Sequence, residues 1–157
     1  MRRKIKPLLT LLLLLIQISL NRYRDVMHVI PDLLYLVIMY VAVTAGPIRT
    51  ILVAALLGWV TDFFSAGLVG VFGFSRVISA YLVNRLSHFL DLTRMHFVFF
   101  LILISLGLSN LTAGLFLGWI YAFPLETGML VYQPLLTALL GVVILKIPLL
   151  KRELNVH

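Results

Sequence analysis

The sequence predicts an all-α integral membrane protein, folded as one compact bundle of six transmembrane helices with both termini in the cytoplasm. Of its 157 residues, 62% are hydrophobic and only 12% are charged, and the mean hydropathy is +1.09. So little polar surface cannot cover a water-soluble globule of this size. The apolar runs are long and unbroken rather than alternating, which indicates helices instead of barrel strands. We therefore treat 1–157 as a single polytopic membrane domain.

Six apolar runs give the predicted spans. The first follows the basic start MRRKIK, and the others cover about 33–45, 48–64, 68–86, 97–121 and 129–147. The first run could be read as a signal peptide, but it ends in Ile18 to Asn21 without a small-x-small cleavage site. We therefore expect a retained first helix.

The boundaries of the spans carry turn and helix-start signals. Pro31 stands at a natural helix start with Asp32 beside it, near the N-terminus where a carboxylate is favoured. Gly46 and Pro47 predict a tight turn, and Pro134 predicts a kink in the sixth run.

The start of the fourth run stays open because Gly67, Gly70 and Gly73 occupy its first turns, with Ser65 as a further predicted turn residue before them. Gly67 and Gly70 are the predicted turn residues there. The helix begins either near Gly67, which carries Arg76 into the membrane, or near Phe74 after an irregular segment.

The distribution of Lys and Arg predicts the orientation. With six spans and the N-terminus inside, only Arg22 and Arg24 fall outside. The inner side then holds ten cations, namely Arg2, Arg3, Lys4, Lys6, Arg49, Arg85, Arg94, Lys146, Lys151 and Arg152. This bias is typical of cytoplasmic loops. The net charge of +7 is therefore explained by membrane topology and does not call for nucleic acid as a partner.

Asp62 is the most informative polar residue of the spans. Helical spacing places it on one stripe with Ala54, Ala55 and Gly58, where another helix can approach closely. An ionisable group within the membrane costs about 3 kcal/mol, so Asp62 needs a partner or water. The same holds for Arg76.

Two interpretations of Asp62 and Arg76 stay open. Both residues either snorkel and cap the Gly-rich turn at the outer interface, or form a buried ion pair between the third and fourth helices, joined by Asp32. A proton relay is disfavoured because the remaining spans supply no second acid. Gly114 and Gly118, with Asn110 one turn earlier, add a second small-residue face. Such faces serve internal packing, a homodimer or a partner helix.

Catalytic and metal chemistry find little support in the sequence. There is no cysteine, hence no thiolate site. His88, Asp91 and His96 do not fall on one helical face with a further ligand, so solvated interfacial residues are the better interpretation. No grouping suits a nucleophile. We expect neither enzyme activity nor a cofactor or metal.

A series of short motifs resembles the rod shape-determining protein MreD family. The series consists of Pro31-Asp32, Gly46-Pro47, then Gly58, Asp62, Ser65, Gly67 and Gly70, and a fourth run that ends in Arg85. Length, hydropathy and the six-run layout resemble the family over most of the chain. The resemblance implies a multi-pass protein of the bacterial inner membrane within the elongation machinery. It also implies association with the single-span MreC, and through it with actin-like MreB and wall-synthesis enzymes, without catalysis.

The competing class is a small-molecule carrier. The substrate-binding S components of vitamin transporters are also compact six-helix proteins of similar size. Such a carrier needs polar groups that line a pocket, and the spans of this sequence hold few hydrogen-bonding side chains. We therefore favour the scaffold over the transporter.

Overall fold

The computed structural model describes residues 15–17, 19–20, 29–64, 70–92, 94–121 and 128–153. Within these ranges the chain forms helices and no strand, which confirms the all-α class. The helices are α1 (Leu33–Thr44), α2 (Pro47–Phe64), α3 (Val71–Leu86), α4 (Met95–Tyr121), a π-helical segment (Gly128–Tyr132) and α5 (Gln133–Glu153).

These elements correspond to the second through sixth apolar runs, with ends shifted by at most three residues, except that α5 continues to Glu153. Of the first run, only 15–17 and 19–20 are described, and they are helical. Among the described residues, one helix, Met95–Ile120, is long and apolar enough to cross a membrane. Leu33–Thr44 and Gly128–Ile144 are shorter apolar helices. The count of six spans and the orientation of the termini stay predictions.

A tight turn joins α1 to α2 at the predicted Gly46 and Pro47. The N–H of Ala45 donates to the carbonyl of Val41 at 2.8 Å and ends α1. Pro47 is the first residue of α2, where its missing N–H costs no hydrogen bond. So short a connection makes α1 and α2 antiparallel neighbours.

The start of α3 lies between the two positions that the sequence left open. The helix begins at Val71, after Gly70 with a φ of +102°. Glycine adopts this left-handed conformation without the steric cost of a Cβ atom. Arg76 therefore lies in the second turn of the helix. The predicted turn residues Ser65 and Gly67 lie outside the described residues.

The helix type changes beside Pro134, where a kink was predicted. Residues 128–132 form a π-helix, and α5 begins at Gln133. The π-helix runs directly into α5, so Pro134 lies inside a continuous helical segment, where it has no N–H to donate to a carbonyl of the preceding turn. Pro134 thus marks a boundary between two helix types.

Helix α1 lies at the centre of the described bundle. It contacts α2, α3 and α5, and more than half of its residues are buried, namely Leu33, Leu34, Tyr35, Leu36, Ile38, Met39 and Ala42. The outer faces of the other helices instead expose large apolar side chains. Trp59 is 62% exposed and Trp119 is 86% exposed. Such a surface suits lipid hydrocarbon rather than water.

Candidate functional site

Asp32 links the start of α1 to two other parts of the chain. Its Oδ1 accepts the N–H of Tyr35 at 2.9 Å, which caps the helix. Its own N–H donates to Thr137 Oγ1 of α5 at 3.0 Å. The next N–H, of Leu33, donates to Gln17 Oε1 at 2.8 Å. Asp32 was predicted near a helix N-terminus, and this position is confirmed.

Arg76 pairs with Asp32 in the interior of the bundle. Its Nη2 contacts Asp32 Oδ2, and the two side chains are 4% and 7% exposed. The Nη1 atom donates to Thr61 Oγ1 at 2.5 Å and to the carbonyl of Leu57 at 3.5 Å. One guanidinium therefore connects α3 with α1 and α2. A buried cation needs this degree of compensation, because removal of one partner leaves an unpaired charge.

Asp62 is fully buried and binds backbone, not Arg76. Its Oδ2 accepts the N–H groups of Gly70 at 3.0 Å and Gly73 at 2.9 Å, and its Oδ1 accepts that of Phe72 at 2.8 Å. These are the unpaired donors at the start of α3, where the helix dipole also favours a negative charge.

The structure corrects the predicted pair of Asp62 and Arg76. Asp62 lies two residues before the end of α2, opposite the first turn of α3, and three amides take up its oxygens. Arg76 lies in the next turn and faces Asp32. Each of the two interpretations left open by the sequence therefore holds for one of the two residues. Asp62 caps the Gly-rich turn, and Arg76 forms a buried ion pair, but with Asp32.

Part of the predicted small-residue face is used inside the bundle. A Cβ atom built on Gly58 would lie 2.5 Å from the Cα of Gly73, so the backbones of α2 and α3 touch there. Ala54, one turn earlier, is fully buried. This close approach also brings Asp62 within reach of the Gly73 amide. Ala54 and Gly58 are packing residues, which the sequence allowed.

Ala55 lies on the other side of this contact and lines an apolar groove between α2 and α3. The groove has a volume of about 370 Å³. Its lining residues are Ala55, Leu56, Trp59, Gly70, Gly73, Phe74 and Val77. Small residues thus stand beside bulky, exposed ones on a surface that faces lipid.

A chain of serines next to the ion pair was missed in the sequence. Tyr35 donates its hydroxyl to Ser79 Oγ at 3.1 Å, and Ser109 Oγ lies 3.4 Å from Ser75 Oγ. Ser105 contacts the sulfur of Met39 at 3.5 Å. The spans therefore hold more internal hydrogen bonds than expected. The signal was visible, because the serines recur four residues apart on both α3 and α4.

Asn110 makes the inter-helix contact that the sequence predicts. Its Nδ2 donates to the carbonyl of Met129 at 2.7 Å and to Gln133 Oε1 at 3.1 Å. Asn110 thereby connects α4 to the π-helical segment and to the first residue of α5.

The predicted glycine pair lies further along α4. Gly114 is buried and Gly118 is half-buried.

Asn84 fastens the opposite end of the bundle and was not predicted. Its Nδ2 donates to the carbonyls of Ala42 at 2.7 Å and Ala45 at 3.0 Å. These carbonyls belong to the last turn of α1 and the residue after it, where helix acceptors have no internal partner. The contact sets the end of α3 beside the turn between α1 and α2.

The surface of the bundle carries His88 and Asp91, which lie in the loop between α3 and α4, and His96, which lies in the first turn of α4. His88, Asp91 and His96 are exposed, and Asp91 contacts Arg94 at 3.5 Å. Among the described residues, no group of three metal-ligating side chains comes together.

A bundle of apolar helices with lipid-facing surfaces and an internal ion pair defines an integral membrane protein. The sequence model of the rod shape-determining protein MreD family matches residues 1–151 of the 157 residues. The chain belongs to this family, which confirms the resemblance. The family comprises bacterial membrane proteins with a role in rod-shape determination and is not a known enzyme family. Comparisons with curated proteins and with solved structures gave no match.

Proposed function

We propose that this protein is a non-enzymatic, multi-pass scaffold of the bacterial inner membrane within the rod-shape complex. It binds a single-span MreC-like partner, and through that partner links MreB-like filaments to peptidoglycan synthesis enzymes. The family supports the role in cell shape. One observation supports a scaffold in particular. Among the described residues, every buried side-chain nitrogen and oxygen already has a hydrogen-bond partner, so none is left for a ligand.

Because the buried polar groups already bind each other or the backbone, a scaffold is favoured over a small-molecule carrier. A carrier of a vitamin-sized molecule presents converging polar groups to its ligand. Here the charged and hydroxyl groups of α1, α3 and α4 bind each other or the backbone. No observation on the described residues favours the alternative of an S-component-like transporter subunit.

The proposed partner face is the apolar groove beside Ala55. Burial divides the small residues into two sets, because Ala54 and Gly58 pack internally whereas Ala55 borders the groove. A transmembrane helix can approach closely over small residues that have bulky neighbours, and a single-span partner supplies such a helix. A second copy of the chain could present the same chemistry and is distinguished by the test.

The test is co-purification in detergent with a one-span, MreC-like protein. Ala55→Leu fills the groove and is expected to abolish capture of the partner while the isolated protein stays folded and monodisperse. Gly107→Leu is the matched control, since a Cβ at Gly107 meets nothing within 4 Å and the residue does not line the groove. If the Ala55→Leu and Gly107→Leu variants capture the partner equally well, the groove is not the partner face. The face around half-buried Gly118 then becomes the proposed partner face. Self-association that is lost in Ala55→Leu identifies a homodimer instead.

The proposed topology has six spans and cytoplasmic termini. Reporter fusions at Asp25 and at His157 are expected to report the outside and the inside respectively, because ten of twelve assignable cations then lie inside. Two signals on the same side contradict the six-span count.

A further inference from the structure

Among the described residues, one end of the bundle carries two cations that no acid compensates. Asn84 holds the end of α3 against the turn between α1 and α2. This contact brings Arg85, in the last turn of α3, to the same end as Arg49, in the first turn of α2. We call Arg49 and Arg85 the basic end.

Arg85 is held by an aromatic residue and not by a carboxylate. Its Nε donates to the hydroxyl of Tyr81 at 3.2 Å, and its guanidinium carbon lies 5.6 Å from the centre of the Tyr81 ring. Arg49 and Arg85 are both exposed. In the part of the chain that the structure describes, neither forms an ion pair, whereas Arg94 contacts Asp91 at 3.5 Å.

Apolar side chains around Arg85 place the basic end at the edge of the bilayer. Leu82 is 40% exposed, Leu86 is 48% exposed, and Phe89, just after α3, is 86% exposed. In a membrane protein, such groups remain in contact with lipid, while cations beside them reach the headgroup layer. Tyr81, with its apolar ring and polar hydroxyl, also suits this depth.

We propose that Arg49 and Arg85 form a binding site for the phosphate groups of anionic phospholipids. A guanidinium binds phosphate oxygens with two parallel hydrogen bonds. Contact with Tyr81 already restricts the Arg85 side chain, so binding costs less conformational entropy. Two uncompensated positive charges favour a net negative lipid over a zwitterionic one, whose ammonium group would be repelled. This site does not depend on the proposed partner, since it lies outside the groove beside Ala55.

The experiment measures lipid binding by the purified full-length protein. The chain is exchanged from detergent into bilayers of phosphatidylcholine with increasing phosphatidylglycerol, and bound lipid is counted by native mass spectrometry. Binding of phosphatidylglycerol is expected to weaken about five-fold in Arg85→Gln and about five-fold in Arg49→Gln, from about 1 kcal/mol for each basic residue near a membrane surface. Tyr81→Phe keeps the ring but loses the hydroxyl, and is expected to weaken binding less than Arg85→Gln.

Arg94→Gln is the matched control. Its charge is already compensated by Asp91, so its loss is expected to change binding less than two-fold.

The proposed site is overturned if both Arg49→Gln and Arg85→Gln bind the lipid with native affinity, or if Arg94→Gln loses as much affinity as they do. Competition by soluble glycerol phosphate at concentrations equal to those of the lipid overturns the assignment to a lipid headgroup. All variants are first checked for unchanged thermal unfolding, and if Arg49→Gln or Arg85→Gln unfolds early, the corresponding Lys variant replaces it. A Lys variant retains the positive charge but lacks the planar guanidinium that forms two parallel hydrogen bonds. Its affinity is expected to lie between those of the native protein and the Gln variant, and an affinity equal to that of the Gln variant contradicts the proposal.

Discussion

Removal of the Asp62 carboxylate is expected to loosen the start of α3 from the end of α2. Its two oxygens accept three backbone N–H groups, from Gly70 at 3.0 Å, Phe72 at 2.8 Å and Gly73 at 2.9 Å. A hydrogen bond to a charged group contributes about 1.5–3 kcal/mol to stability. Asp62→Asn retains one carbonyl oxygen, which can take the place of Oδ2 and keep the bonds from Gly70 and Gly73.

The expected losses follow from this geometry. Asp62→Asn loses the bond from Phe72 and the charge at the helix start, so its free energy of unfolding should fall by about 2 kcal/mol. Asp62→Ala loses all three acceptors and leaves their N–H groups unpaired. At about 1.5 kcal/mol for each bond, the expected loss is about 4–5 kcal/mol.

The assay is unfolding of the purified full-length protein in detergent, by heat and by denaturant. Asp91→Asn is the control, because the Asp91 side chain is 53% exposed and contacts Arg94 at 3.5 Å, and exposed ion pairs contribute about 0–1 kcal/mol. The order of stability should be native, Asp91→Asn, Asp62→Asn, Asp62→Ala. If both Asp62 variants unfold together with the control, the carboxylate does not hold α3, and the reasoning fails.

Two further predictions concern the contacts around this cap. Asp32→Asn and Arg76→Gln are each expected to destabilise the protein by about 3 kcal/mol, and the double variant by at least about 1 kcal/mol less than their sum; strict additivity in the same unfolding assay contradicts a direct pair. Gly58→Ala is expected to cost about 1–3 kcal/mol, because its Cβ would lie 2.5 Å from a backbone atom of α3. Gly107→Ala, with nothing within 4 Å, should be neutral or slightly stabilising, and equal effects of the two glycine substitutions contradict the close contact.

The sequence predicts the features that depend on local pattern. Apolar runs and turn residues place most ends of α1 to α5 within three residues of the observed ones, although α5 continues to Glu153, because both are signals of local sequence. Asp32 as a helix-start residue and Asn110 as an inter-helix donor are also visible, since each follows from its position within one segment.

The partners of the buried charges depend instead on how distant helices meet. Asp32 and Arg76 are 44 residues apart, and helical periodicity does not report which of two acids an arginine faces. The serines show a different difficulty. Ser79 and Ser105 each donate to the backbone carbonyl three residues earlier, as serines within helices commonly do. Their spacing alone does not reveal which of them also contact another helix.

The distance in sequence between Asp32 and Arg76 also bears on how the protein enters the membrane. At about 5–20 residues per second, synthesis of the 44 residues that separate them takes about 2–9 seconds. During that interval α1 carries a carboxylate without its cation, and such a group is costly in hydrocarbon. Asp32 must therefore stay in contact with water at the membrane surface until α3 arrives. The central position of α1 is then a late product of assembly, although α1 is made before α2, α3 and α5, which pack against it.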